Sequence, residues 1–175
     1  LINARKHDSQ DICFVPDGDY AKVIENRTGK TPEPGPFLDL NGNVVGTHRG
    51  IIHYTVGQRR GLRMPSDGKI YVVKILPERN AVVVGPNEAL FTRECLVPGM
   101  RWISGEAPAL PFRCSAKTRY RQPEKPCTVY PAGGNAVRLV FDEPLRAITP
   151  GQSAVLYDGE IVLGGGIIAR EDVPC

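Results

Sequence analysis

Residues 112–141 read FRCSAKTRYRQPEKPCTVYPAGGNAVRLVF, and their rhythm decides the fold. Short alternating runs are cut by QPEK (122–125) and AGGN (132–135), turn-forming stretches spaced too closely for helices. The texture continues outward, predicting strands over 95–103, 112–121, 126–131, 135–141, 152–158 and 160–169. They are separated by GEAPALP, QPEK, AGGN, the span from DEP to TPG, and Asp158-Gly159. Six such strands in about 78 residues predict a six-stranded antiparallel β-barrel, the closed architecture that leaves no exposed edge.

Toward the N-terminus the pattern is looser. Asp17 or Asp19 can cap a short helix through Tyr20, Ala21, Val23 and Ile24, which Gly29 would stop. The proline-rich TPEPGP that follows forces an extended crossing. Phe37, Leu38 and Leu40 lead into Asn41-Gly42, the strongest two-residue hairpin signal, and Val44-Val45 return. A second hairpin runs from Lys69 to Leu76, turns at Pro77-Glu78-Arg79-Asn80, and returns over Ala81 to Gly85. Between the hairpins, Gly46 to Leu62 reads equally as helix or strand. The fold class is therefore mainly β (α+β). We expect a central domain over 16–92 with hairpins and a short helix, and a C-terminal β-barrel domain over 93–175.

The chain has 175 residues, 41% of them hydrophobic, enough for a real core, and proline (16) with glycine (19) makes up one residue in five. A net charge of +3 announces no nucleic-acid binder by itself, so its distribution matters. If residues 112–121 form one strand, Arg113, Lys117, Arg119 and Arg121 share a face and make a basic stripe, with only Glu124 close in sequence. That stripe is either a solvated outer face or a phosphate-binding surface. A second positive patch, Arg49, Arg59, Arg60 and Arg63, lies in an acid-free stretch whose glycines let backbone approach a phosphate. Two such patches suit a long polyanion better than a small ligand.

The five cysteines, at 13, 95, 114, 127 and 175, form no CxxC pair and have no histidine at metal-ligand spacing, so no metal site is predicted. No run of about 18 apolar residues is present; a reducing cytoplasm is expected, with no membrane partner. His48 and His53 lack a carboxylate at useful spacing and read as structural. Gly164-Gly165-Gly166 precedes Ile167-Ile168-Ala169, a strand pattern rather than a nucleotide loop. Cys13 stands in DSQDICFV (8–15), at the edge of an acidic run, where a second sulfur or a substrate can reach it. Asp8 and Asp11 oppose a low thiol pKa, and burial as a packing residue is the competing reading.

DSQDICF resembles the cysteine motif of bacterial tRNA-specific 2-thiouridylases (tRNA-uridine 2-sulfurtransferases). Further similarity lies in GTHRGIIHYTVGQRRGL (46–62), AKTRYRQ (116–122) and FDEPLRAITPGQSAVLYDGEIVLGGGII (141–168), in the same order and covering essentially the whole chain. The resemblance implies a fragment of such an enzyme. Residues 1–15 would end a catalytic domain that is otherwise missing, with its ATP-binding loop and own cysteine, and the barrel would resemble the second domain of elongation factors. Cys13 would be the persulfide carrier, loaded by a sulfur-relay or cysteine desulfurase partner. ATP, with Mg2+, would adenylate the C2 oxygen of the wobble uridine of tRNA for Glu, Gln and Lys. The persulfide would then attack C2 directly, or release sulfide to do so when the second cysteine attacks it; either way the C2–oxygen bond breaks and AMP leaves, and a disulfide between the two cysteines would close the cycle and need reduction. A persulfide is more acidic than a thiol, which eases the opposition of Asp8 and Asp11. The wobble base would be turned out of its stack. Arg119, Tyr120 and Gln152 match the family's tRNA contacts, Lys117 and Arg121 flank them on the stripe, and Ser9 and Asp11 would shape the Cys13 loop. The fragment alone is expected to be inactive. A rival from another class is a non-catalytic RNA-binding β-barrel module in which Cys13 is incidental. A third reading, an RNA methyltransferase, lacks a glycine-rich cofactor site.

Overall fold

The computed structural model describes residues 20–29, 31–64 and 68–170. They are mainly β with one short α-helix, as the sequence predicts. The helix α1 (Tyr20–Thr28) stops where Gly29 takes φ +64°, its N–H closing back on the Glu25 carbonyl at 2.8 Å.

Strands β1 (Gly35–Leu38), β2 (Val44–His48), β3 (Tyr71–Leu76) and β4 (Ala81–Gly85) form a sheet in the order β2-β1-β4-β3. β1 and β2 are the expected hairpin, but the turn is larger than two residues. Gly42 N–H bonds the Asp39 carbonyl, Gly42 sits at φ +85°, and the Asp39 carboxylate accepts the N–H groups of Asn41 and Asn43 at 2.8 Å each. This is a type I turn closed by a glycine bulge, organised by Asp39. Between β3 and β4, Asn80 takes the left-handed conformation at φ +44°. Its side chain donates to the Glu33 and Pro34 carbonyls, so this turn pins the proline-rich crossing.

By their internal packing the described residues divide into two units: those up to Thr55 with Lys74–Val83, and those of Val56–Val73 with those from Val84 to Arg170. In the first, Phe37, His48 and Tyr54 are buried with their rings 5.3–5.6 Å apart.

The second contains seven antiparallel strands: β5 (Phe91–Val97), β6 (Arg101–Trp102), β7 (Phe112–Lys117), β8 (Lys125–Pro131), β9 (Val137–Arg146), β10 (Ser153–Asp158) and β11 (Ile161–Ile167). Their order is β5-β9-β8-β7-β10-β11-β6, around a core including Val97, Val129, Leu139, Phe141 and Leu156. The sheet curls, since the Ala169 N–H, just past β11, bonds the Leu96 carbonyl on β5 at 2.8 Å.

Seven strands replace the predicted six because the run 95–103 is broken. Pro98 cannot continue a ladder and Gly99 turns at φ +62°, so β6 leaves β9 and pairs with β11 instead. β9 continues through the Asp142-Glu143-Pro144 expected to be a turn. Between the pairs Glu94↔Val140 and Thr92↔Leu145, β9 carries a bulge, and Pro144 falls within it, where no ladder N–H is needed. The predicted strand 112–121 ends at Lys117.

Candidate nucleic-acid interface

Ending β7 at Lys117 dissolves the continuous basic stripe. Arg113 is on the strand but is neutralised by a bidentate pair with Asp142, at 2.6 and 2.7 Å, reaching across β8 to β9. Lys117 sits with Nζ 5.6 Å above the Tyr157 ring. Arg119 and Arg121 fall in the turn after β7, whose Gln122 N–H bonds the Arg119 carbonyl. Exposed Tyr120 stands between them.

Tertiary structure reassembles three of the predicted residues. Arg119 Nη2 donates to Thr149 Oγ1 at 2.7 Å, and Thr149 donates onward to the Ala147 carbonyl at 3.0 Å. The Thr149 carbonyl accepts the Gln152 N–H, and the Gln152 carbonyl accepts the Ile168 N–H. The turn carrying Arg119 and Tyr120 is thereby fastened to the turn carrying Gln152. Ala147, buried at φ +57°, supplies the kink that brings Thr149 under Arg119.

Arg146 joins this cluster without having been singled out in the sequence. Its Nε donates to Asn87 Oδ1 at 3.0 Å and its guanidinium lies 5.3 Å over the Tyr71 ring. Burial, and then the positive charge of Arg146, push the Arg119 pKa down. Two guanidinium groups thus repel each other while hydrogen-bonded to neutral partners. A polyanion relieves that repulsion. The block RAITPGQ was visible in the sequence, but the span around Arg146 read as turn and hid it.

A segment from the other predicted patch packs here too. Gly57, at φ +89°, exchanges bonds around Val72: the Gly57 N–H meets the Val72 carbonyl at 2.8 Å, and the Val72 N–H meets the Gln58 carbonyl at 2.9 Å. A Cβ on Gly57 would lie 3.4 Å from Ala147 Cβ and 3.5 Å from Arg146 Nη1. Arg59, Arg60 and Arg63 are exposed beyond it.

Other sequence features have structural roles. His48 is 2% exposed, its Nδ1 accepting the Gly50 N–H and its Nε2 donating to the Asn80 carbonyl, both at 3.0 Å. Gly164-Gly165-Gly166 lies within β11, where an added Cβ would collide with Arg101 O, Ala154 O and Val97 respectively, so it is no ATP-binding loop. Cys114 and Cys127 face each other across β7 and β8 with sulfurs 3.8 Å apart. A cavity of about 460 Å³ lined by Trp102, Leu110 and Asn135 shares no residue with the arginine cluster. Among the described residues no group of acidic, histidine or cysteine side chains could hold a metal, and no helix is long and apolar enough to cross a membrane. Ser9, Asp11 and Cys13 lie outside the described residues.

Comparison with known proteins adds the family. Residues 21–86 match the model described as tRNA methyl transferase PRC-barrel domain, and residues 92–168 the one described as Aminomethyltransferase beta-barrel domain. The tRNA-specific 2-thiouridylase MnmA of Acetivibrio thermocellus is 50% identical over 168 residues, 96% of this chain and 47% of that protein. The enzyme of the same name from Halothermothrix orenii is 44% identical over 93% of this chain and 46% of that protein, and the one from Symbiobacterium thermophilum 47% identical over 97% and 44%. The chain spans about half the length of the relatives it matches. Two adjoining family models, ordered as the motifs are, and this level of identity along nearly the whole chain establish that it belongs to the tRNA-specific 2-thiouridylase family, corresponding to its central and C-terminal part.

Proposed function

We propose that this chain is the part of a tRNA 2-thiouridylase that carries the sulfur-bearing cysteine, Cys13, and grips tRNA with its barrel. In this reading residues 1–15 present Cys13, residues 16–92 form the central domain and residues 93–175 the barrel. Arg119 and Gln152 hold the RNA backbone, Tyr120 offers an exposed ring for stacking, and Lys117 and Arg121 add charge at the margin. Ser9 and Asp11 shape the loop around Cys13. The observation carrying the proposal is the Arg119–Thr149 bond, which gathers Arg119, Tyr120 and Gln152 onto adjoining turns beside a second arginine.

Cys13 accepts sulfane sulfur from a donor protein and delivers it to C2 of the wobble uridine, in a cytoplasmic setting that keeps thiols reduced. The Gly164-Gly165-Gly166 run is taken up in a strand, and activation of the base is assigned to no described residue. Glu, Gln and Lys tRNAs are the expected substrates.

Two measurements on a longer protein carrying this sequence test the reading. Cys13→Ser is expected to abolish 2-thiouridine in tRNA nucleosides while tRNA binding persists; normal thiolation in the variant would sink the persulfide role and leave an RNA-binding module. Arg119→Ala is expected to weaken cognate and non-cognate tRNA alike, by about 1 kcal/mol, and to flatten the plot of log K against log salt by roughly 0.7 to 0.9. A loss confined to cognate tRNA with unchanged slope would mean that Arg119 reads a base instead.

A further inference from the structure

Resting on that reading, we infer that Arg59 and Arg60 are backbone-phosphate contacts for the same RNA, on a surface continuous with Arg119, Tyr120 and Gln152. The two basic patches are remote in sequence, and neither motif announces the other. Residues 56–64 and 68–73 nevertheless pack in the same unit as the barrel, and the residues just before them belong to the other. The junction is specific: Gly57 lies directly against Arg146 and Ala147, and Ala147 is the residue whose carbonyl anchors Thr149, the partner of Arg119. A packing contact at Gly57 followed by two hydrogen bonds therefore connects the loop bearing Arg59 and Arg60 to the turns bearing Arg119 and Gln152.

The loop is tied down at two points, a buried side chain and a hydrogen bond across its turn. Gly57 and Gly61 hold φ of +89° and +80°, Leu62 is buried beneath, and the Gln58 side chain donates to the Arg60 carbonyl at 3.0 Å. A preformed loop loses little freedom on binding, which favours affinity without new contacts. At its crest both arginines are exposed, and neither takes part in an ion pair among the described residues. Residues 47–66 contain no acid. Asp67, the next acid in sequence, lies outside the described residues, and Glu88, next to the Asn87 that holds Arg146, is exposed. Arg119, Arg146 and the Arg59–Arg60 pair thus bring like charges along one path of packed residues. A polyanionic strand spans such a surface, whereas one small anion meets only part of it. Exposed arginines without a pocket bind phosphate by charge and carry no base readout.

The test compares Arg59→Gln/Arg60→Gln, Arg119→Gln and Arg49→Gln, each in a longer protein carrying this sequence. Transcripts of cognate and non-cognate tRNA are titrated at several salt concentrations, with thermal melts alongside. The double variant is expected to lose roughly tenfold in affinity for both tRNAs near 0.1 M salt, and its salt slope should fall by about 1.4 to 1.8, two phosphates' worth. Melting should be unchanged, and Arg49→Gln, in the other unit, should alter the slope by less than one contact. If the double variant binds normally while Arg119→Gln is weakened, this inference is overturned and the proposed function stands. Should the double variant weaken binding but Arg119→Gln not, the continuous surface is overturned. If neither variant weakens binding, both readings fail.

Discussion

His48 shows how one residue can be chemically suggestive and structurally committed. Its Nδ1 accepts the Gly50 N–H, so the proton sits on Nε2 and is donated to Asn80. Burial pushes its pKa down, and a second proton would set two donors facing each other at Nδ1. Because the folded pKa lies below the unfolded value near 6.5, the neutral ring stabilises the fold fully above that pH, and this is lost as pH falls toward the folded value. Thermal melts are expected to decline from pH 7 to pH 5, and the decline should flatten in His48→Gln; an unchanged slope in that variant would assign the pH dependence elsewhere. The cysteines divide similarly. Burial raises the Cys95 thiol to about 12, while the shared hydrogen bond raises Cys127 and lowers Cys114. Among these three, limited alkylation followed by peptide mapping should find Cys114 labelled first. At Cys95, serine should be less stable than alanine by about 1 to 2 kcal/mol, because a buried hydroxyl needs a partner; at Cys127 the facing Cys114 supplies one and the difference should shrink.

At the scale of elements, turns decide where strands end and what they present. Asn41-Gly42 marked the first hairpin correctly, yet Asp39 set the turn type by binding two backbone N–H groups. Gly35, at the start of β1, is required by its neighbours rather than by its own φ. An added Cβ would strike the Asn80 carbonyl oxygen and come within 2.9 Å of the His48 ring. Gly35→Ala is therefore expected to cost about 1 to 3 kcal/mol in denaturant unfolding. A neutral outcome would mean that β1 and the Asn80 turn can separate without penalty.

Across the molecule, the charges that count are those left uncompensated. Arg113 and Arg119 look alike in the sequence, but Arg113 is held by Asp142, whose carboxyl pKa is pushed down by that bond, while Arg119 is bonded to the Thr149 hydroxyl beside the like charge of Arg146. Arg113→Ala is expected to change the salt dependence of tRNA binding much less than Arg119→Ala in the same titration. Equal effects would show that the Arg113–Asp142 pair opens on binding, since an exposed ion pair is worth at most about 1 kcal/mol.

The sequence by itself determined the local elements and the inventory: mainly β character, the helix stopped at Gly29, two hairpins, the barrel's punctuation, and the motif blocks that identify the family. These follow from side-chain period and turn chemistry, which act within a few residues. Pro98-Gly99 is legible as a break within 95–103, whereas Pro144 reads locally as a turn because its bulge depends on Thr92 and Glu94 of β5, far away in sequence. Only the tertiary structure decided which cations are free. Asp142 reaches Arg113 across an intervening strand, Ala147 turns Thr149 under Arg119, and Gly57 seats a remote basic loop on Arg146. Strand order and loop closure bring those groups together. Periodicity reports which face a side chain takes, but not which neighbour it will meet there.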